Sequence, residues 1–139
     1  SMRKKYVFLL AMVASSLLWA RGANDASFKQ DNLIPDQKGG LISAQKAKEL
    51  MNKDSSVILI DVRTKEEYDE GRIPGALLLP YDRITEKTAS EIIQKKDSVI
   101  ILYCRSGRRS AIAADTLRAL GYTTIFDMGG IGSWPYGLE

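Results

Sequence analysis

The run Val99-Ile-Ile-Leu-Tyr103 is continuously apolar, and its first three residues are β-branched. No polar residue alternates within it, so neither side of such a strand can face water. Asp97-Ser98 precede the run, and the segment that follows changes period. From Ser110 to Leu120, apolar residues recur at helical spacing (Ile112, Ala113, Leu117, Leu120), with Gly121 placed to cap the end. A strand covered on both faces and followed at once by a helix is the repeating unit of an α/β fold with a parallel sheet. The joining segment, Cys104 to Arg109, then lies at the carboxyl end of a strand, where open α/β sheets bind ligands.

The rest of the chain repeats the alternation. Ser43 caps a helix running through about Asn52, with Ala44, Ala47, Leu50 and Met51 inward. Ser56 to Asp61 reads as a second buried strand. Thr64 and Glu67 have the spacing of a capping box and open a short helix through about Glu70. Ile73 to Pro80 is a turn into a short strand, and Thr85 to Lys95 is helical. Thr123 to Phe126 is a last strand, after which Gly129-Gly130 turn the chain. The expected fold class is therefore α/β with a mainly parallel central sheet. One domain over residues 41–139 accounts for it, preceded by a polar tether at 23–40.

Residues 2–22 read as a secretory signal. Arg3-Lys4-Lys5 is a basic start, Tyr6 to Ala20 an apolar stretch, and Ala20 and Gly22 are small residues suited to cleavage after Gly22. The apolar stretch is shorter than the roughly 20 residues that span a bilayer. An uncleaved anchor is the alternative. The expectation is export, periplasmic or secreted, with no membrane contact after cleavage. Arg3, Lys4, Lys5 and Arg21 also dominate the charge, since removing residues 2–22 takes the balance from +3 to −1. The sequence pI near 9.0 is thus no argument for nucleic acid.

Cys104 is the only cysteine of the 139 residues, and there is no histidine. An internal disulfide, a Cys–His protease pair and the usual zinc ligand set are all excluded. Arg105, Arg108 and Arg109 crowd the start of a helix, where acidic residues are normally favoured. That conflict makes sense where an anion occupies the loop. The same positive field favours thiolate at Cys104. Asp61 and Arg63, just past the second strand, can support the site, although a structural ion pair with neighbours such as Glu67 is the plainer reading. Trp134 and Tyr136 either line a pocket or close the core; core closure is the plainer reading.

Three segments resemble the rhodanese family. Leu59-Ile-Asp-Val-Arg-Thr-Lys-Glu-Glu-Tyr-Asp-Glu-Gly-Arg-Ile-Pro-Gly-Ala76 resembles its first signature. Cys104-Arg-Ser-Gly-Arg-Arg-Ser110 resembles its active-site loop, and Phe126-Asp-Met-Gly-Gly-Ile-Gly-Ser-Trp134 is similar to its closing segment. Members commonly carry histidine where Arg72 stands. The resemblance implies a rhodanese-like fold with helices on both sheet faces and sulfurtransferase activity. Cys104 would hold a persulfide, and the backbone amides from Arg105 through Ser106, Gly107, Arg108, Arg109 and Ser110 would cradle it. Thiosulfate or another sulfane-sulfur donor, and cyanide, a thiol or a protein as acceptor, are the expected partners. Arg105, Arg108 and Arg109 would hold the sulfonate. Ser106 and Ser110 would add hydrogen bonds, or Ser110 would serve as a helix cap. The cycle calls for no metal and no other cofactor. A sulfur-carrier or protein-docking module is the alternative. A cysteine phosphatase or arsenate reductase is the more distant one, because Ser110 stands where a phosphatase places its arginine.

Overall fold

The computed structural model describes residues 39–139. The expected signal at 2–22 and the tether up to residue 38 lie outside the described residues. Five strands form one sheet: β1 (Gly39–Leu41), β2 (Ile58–Asp61), β3 (Leu77–Leu78), β4 (Val99–Cys104) and β5 (Thr124–Gly130). Helices α1 (Ala44–Lys53), α2 (Lys65–Glu70), α3 (Glu86–Ile92) and α4 (Arg108–Ala119) connect them. The strand order is β1-β5-β4-β2-β3, with every pair parallel. This is the expected α/β architecture.

The apolar run of β4 explains its central place. Ile100, Ile101, Leu102 and Tyr103 are all fully buried, as the absence of polar alternation requires. Ile100, Leu102 and Cys104 point into a core that includes Ala89 and Ile93 at α3 and Ala113, Ala114 and Leu117 of α4. Ile101 and Tyr103 point to the opposite face, where Leu59, Phe126 and, on α1, Ala47 and Leu50 are buried. Ser43 caps α1 by accepting from the Lys46 amide, and Thr64 and Glu67 form the anticipated capping box on α2.

Several boundaries depart from the sequence reading, and β2 starts at Ile58 rather than Ser56. The strand β1 begins at Gly39, inside the stretch expected as tether, and pairs with Ile125 to Asp127. A side chain at Gly39 would run into the Ile125 carbonyl, so only glycine lets β1 lie this close. Helix α3 stops at Ile92 instead of Lys95. Helix α4 starts at Arg108 rather than Ser110, because Gly107 takes a left-handed conformation (φ 98°) at its N-cap. The largest difference is in β5, which does not turn at Gly129-Gly130 but runs through them. Leu102 pairs with Asp127 and Tyr103 with Gly129, so Met128 is an extra, bulged residue. Gly129 supplies the positive φ (83°), and its amide donates to the Asp127 carboxylate at 2.8 Å. Gly130 then lies opposite Cys104.

Beneath the carboxyl ends of β2 and β4 lies a buried polar knot. The Arg63 guanidinium donates from Nε to Asp61 Oδ1 and Oδ2 (3.0 and 3.1 Å) and from Nη2 to Oδ2 (2.7 Å). It also reaches the Gly71 carbonyl at 2.7 Å. The Tyr103 hydroxyl donates to Asp61 at 2.7 Å and accepts from the Ile73 amide at 3.1 Å. Burial, reinforced by the Asp61 carboxylate, holds the Tyr103 phenol well above its ordinary value, so it remains a donor. Burial disfavours the Arg63 charge, and Asp61 more than restores it. The pair is therefore structural, as expected, although Arg63 forks onto Asp61 and Gly71 and makes no hydrogen bond to Glu67.

Tyr103→Phe removes the hydroxyl that serves both Asp61 and Ile73. Urea unfolding should show a loss of about 2 kcal/mol, the usual cost of orphaning buried polar groups. A variant as stable as the wild type would mean that the knot does not brace the sheet.

Candidate active site

Cys104 ends β4 with its side chain on the α4 face, and the next residues bend around it. The Gly107 amide donates to Cys104 Sγ at 2.9 Å. Sγ lies 3.5 Å from the Ser110 hydroxyl, which itself donates to the Gly107 carbonyl at 3.1 Å. Burial pushes the Cys104 thiol up, but the Ser110 hydroxyl and the amides of Ser110, Gly107 and Ser106 outweigh it. The net effect is a thiol held below its ordinary value. Gly107 makes this possible: its left-handed turn aims consecutive N–H groups inward at the start of α4. Ser110 is buried against the sulfur in the first turn of α4 and is not the N-cap.

The sulfur is fully shielded, whereas Arg105, Ser106 and Arg108 around it are exposed. The Arg108 guanidinium lies 6.0 Å from the Tyr81 ring, which belongs to a 3₁₀ turn at Tyr81–Arg83. Neither Arg105 nor Arg108 makes an ion pair with a described residue. Arg109 differs. It donates to both oxygens of Glu67, from Nη1 at 2.7 Å and Nη2 at 3.0 Å. Hydrogen bonding from Arg109, aided by Thr64, holds the Glu67 carboxyl down at about 2 against the opposing effect of burial. The sequence does not say which of the three arginines faces a substrate, and the structure sets Arg109 apart from the other two, because its guanidinium is paired with a carboxylate.

Two partners of the loop escape the sequence reading. The sequence places Glu67 with Arg63 and the capping box, and it does cap α2, but its second role lies 42 positions away at Arg109. Gly130 reads as a turn residue in the sequence. A Cβ there would come within 2.6 Å of the Arg105 carbonyl, so Gly130 is the floor on which the loop rests. A glycine pair at a strand end carries that signal, since it permits close backbone approach. Trp134 closes the core as expected, whereas Tyr136 is exposed and does not. Trp134 is buried, donates to the Gly137 carbonyl at 2.9 Å, and meets Tyr136 edge-on at 5.0 Å. Arg72, at the position where histidine is common, lies over the Tyr68 ring at 4.5 Å and pairs with Glu139 at 3.4 Å.

A family model described as Rhodanese-like domain matches residues 43–135. The thiosulfate sulfurtransferase PspE of Escherichia coli (strain K12) is 36% identical over 72 residues, covering 52% of this chain and 68% of PspE. The candidate sulfur carrier protein YrkF of Bacillus subtilis (strain 168) is 35% identical over 108 residues, 78% of this chain. The match spans only about half of YrkF, 54% of its length. Among solved structures, a rhodanese with anions from E. coli superposes with a TM-score of 0.56 at 26% identity, covering 60% of this chain and 96% of that one.

Two variants test the cradle. Iodoacetamide alkylation of Cys104 should persist below the ordinary thiol pKa of about 8.5, because the thiolate survives as pH falls. Ser110→Ala removes the hydroxyl beside the sulfur and should move the inflection upward; an unchanged or lower inflection would remove the hydroxyl from the account. Gly130→Ala should displace the Arg105 carbonyl and slow alkylation at neutral pH by about tenfold, the scale expected when a positioned group is misplaced by a fraction of an ångström. Wild-type reactivity would show that the loop does not depend on Gly130.

Proposed function

The chain belongs to the rhodanese-like domain family, and we propose that it is a thiosulfate-using sulfurtransferase working through a Cys104 persulfide. The observation that carries this reading is the convergence of backbone amides on Cys104 Sγ, with the Gly107 N–H donating at 2.9 Å and the amides of Ser106 and Ser110 beside it. Such donors stabilise an anionic sulfur without a metal or a base. The Cys104 thiolate attacks the outer sulfur of thiosulfate. A new S–S bond forms, the donor's own S–S bond breaks, and sulfite leaves with the electron pair. Cyanide or a thiolate then attacks the outer persulfide sulfur and regenerates the Cys104 thiolate. The result is a two-step covalent cycle.

Burial of the sulfur suits this chemistry. A donor has to deliver only one sulfur atom, while its sulfonate stays outside. Arg105 and Arg108, exposed and without ion-pair partners among the described residues, are left available to an anion, which supports giving them the sulfonate. The phosphatase reading loses ground, because Arg109, the arginine nearest in sequence to the phosphatase position, is held by Glu67. A sulfur-carrier role retains support from the likeness to YrkF, and it differs only in what accepts the sulfur. Export belongs to the same proposal and rests on the pattern of residues 2–22 alone.

Intact mass after incubation with thiosulfate is the direct test. The wild type should gain one sulfur that cyanide removes, and Cys104→Ser should gain none. Sulfur uptake by the serine variant would sink the assignment. Replacing Arg105 or Arg108 with glutamine should raise the thiosulfate concentration needed for half-maximal uptake by roughly fivefold, the range of a partly exposed charge pair. A neutral persulfide donor should be nearly unaffected. Equal losses with both donors would take the sulfonate away from these two arginines.

A further inference from the structure

The loop that surrounds Cys104 is fixed at two points by residues distant in sequence. On one side the Arg105 carbonyl presses against Gly130 of β5, at an approach that leaves no room for a Cβ. On the other, Arg109 in the first turn of α4 is forked onto Glu67. Between these points lie Ser106 and Gly107, two of the residues whose amides face the sulfur, and Ser110 follows directly. The Glu67–Arg109 pair is partly shielded, with side-chain exposures of 23% and 18%. Two parallel N–H···O bonds fix direction as well as distance, which a single contact does not. Glu67 is itself held, since its carboxylate accepts from the Thr64 amide at 3.0 Å. The line of restraint runs from the start of α2, through Glu67 and Arg109, to the N-terminus of α4.

We infer that Glu67 and Arg109 form a clamp that sets the orientation of the α4 N-terminus and thereby the aim of the amides at Cys104. Both are positioning residues and neither touches the donor. The inference rests on the persulfide reading, because the amides matter only when Cys104 carries the reaction. It also gives the three loop arginines different roles. Arg109 holds the loop, while Arg105 and Arg108 are left to face an anion. A positively charged side chain in the first turn of a helix opposes the dipole, and the Glu67 carboxylate offsets that conflict at Arg109.

Glutamine is the suitable replacement at Glu67. It can keep the capping box with Thr64 while losing the charged fork to Arg109. Arg109→Lys keeps the charge and loses the fork. The measurement is single-turnover sulfur uptake by the full chain at a series of thiosulfate concentrations. Both variants should lower the maximal rate by about ten- to a hundredfold. The half-saturating thiosulfate concentration should stay within about twofold, because the donor's contacts are intact. The double variant should be no slower than the worse single one, as expected for residues that act as a unit. Asp69→Asn, which breaks the exposed Lys65–Asp69 pair on the same helix, should leave uptake unchanged. A rise in the half-saturating concentration would overturn the clamp and return Arg109 to donor binding, and an unchanged maximal rate in both single variants would overturn it too. Should Glu67→Gln fail to fold, Arg109→Lys alone decides by the same two readings. A wild type that takes up no sulfur would count against the persulfide reading itself, which separates the two failures.

Discussion

The structure depends on one strand being buried on both faces and ending on a thiol. β4 has a parallel neighbour on each side, and from Ile100 onward none of its residues reaches solvent. Its alternation therefore gives adjacent residues separate roles. Tyr103 points to one face, where its hydroxyl joins β4 to the buried Asp61 and to the Ile73 amide. Cys104 points to the other, under the start of α4. The polar knot fixes the strand end, and the strand end fixes the sulfur. A buried charge pair is a weak source of net stability, so the Asp61–Arg63 pair is better understood as fixing one arrangement of the loop ends.

Burial alone would make Cys104 inert. It raises the thiol's pKa and removes access, which is how most buried cysteines behave. What reverses this is local: the left-handed turn at Gly107 brings N–H groups onto the sulfur from the first turn of α4. The reactive state is then favoured by hydrogen bonds that are already in place and need no solvent. A low local dielectric strengthens each of them. The arginines add a field outside this cradle. Because Arg109 is neutralised by Glu67, the free positive charge lies with Arg105 and Arg108, at the rim and not beside the sulfur.

Much of this was legible in the sequence because it is local. The apolar run of β4, the Thr64–Glu67 capping box and the strand–loop–helix order all depend on residues within a few positions of one another, and each is present, although α4 starts two residues early. Cys104, Gly107 and Ser110 belong to that local set, and they come together in the structure. What could not be read is contact across the fold. Glu67 and Arg109 carry no mark of belonging together, since a glutamate three residues after a threonine is already explained by its cap. The Gly129-Gly130 pair matches a turn equally well. Only the bulge at Met128, which keeps β5 alongside β4 as far as Cys104, reveals Gly130 as a close-packing residue. The early start of α4 has the same origin, because Gly107 is recognisable as an N-cap only once its left-handed backbone is known.

The absence of histidine fits the rest of the site. On the proposed cycle no leaving group needs a proton: sulfite departs as an anion, and the Cys104 thiolate is restored as one. The only proton that matters is the one on the resting thiol. A protein with that chemistry has no use for a general acid or base and has a single pKa to set. The same hydrogen bonds that lower the thiol's pKa also fit an anionic persulfide, so one arrangement serves the nucleophile and the intermediate alike. Stabilising both by equal amounts would leave the barrier between them unchanged, and rate is gained only where the donors fit the shared, stretched S–S–S charge better than either end state. The aim of the amides, more than their number, is therefore the quantity this loop must control, and this is why restraints as remote as Glu67 and Gly130 bear on it.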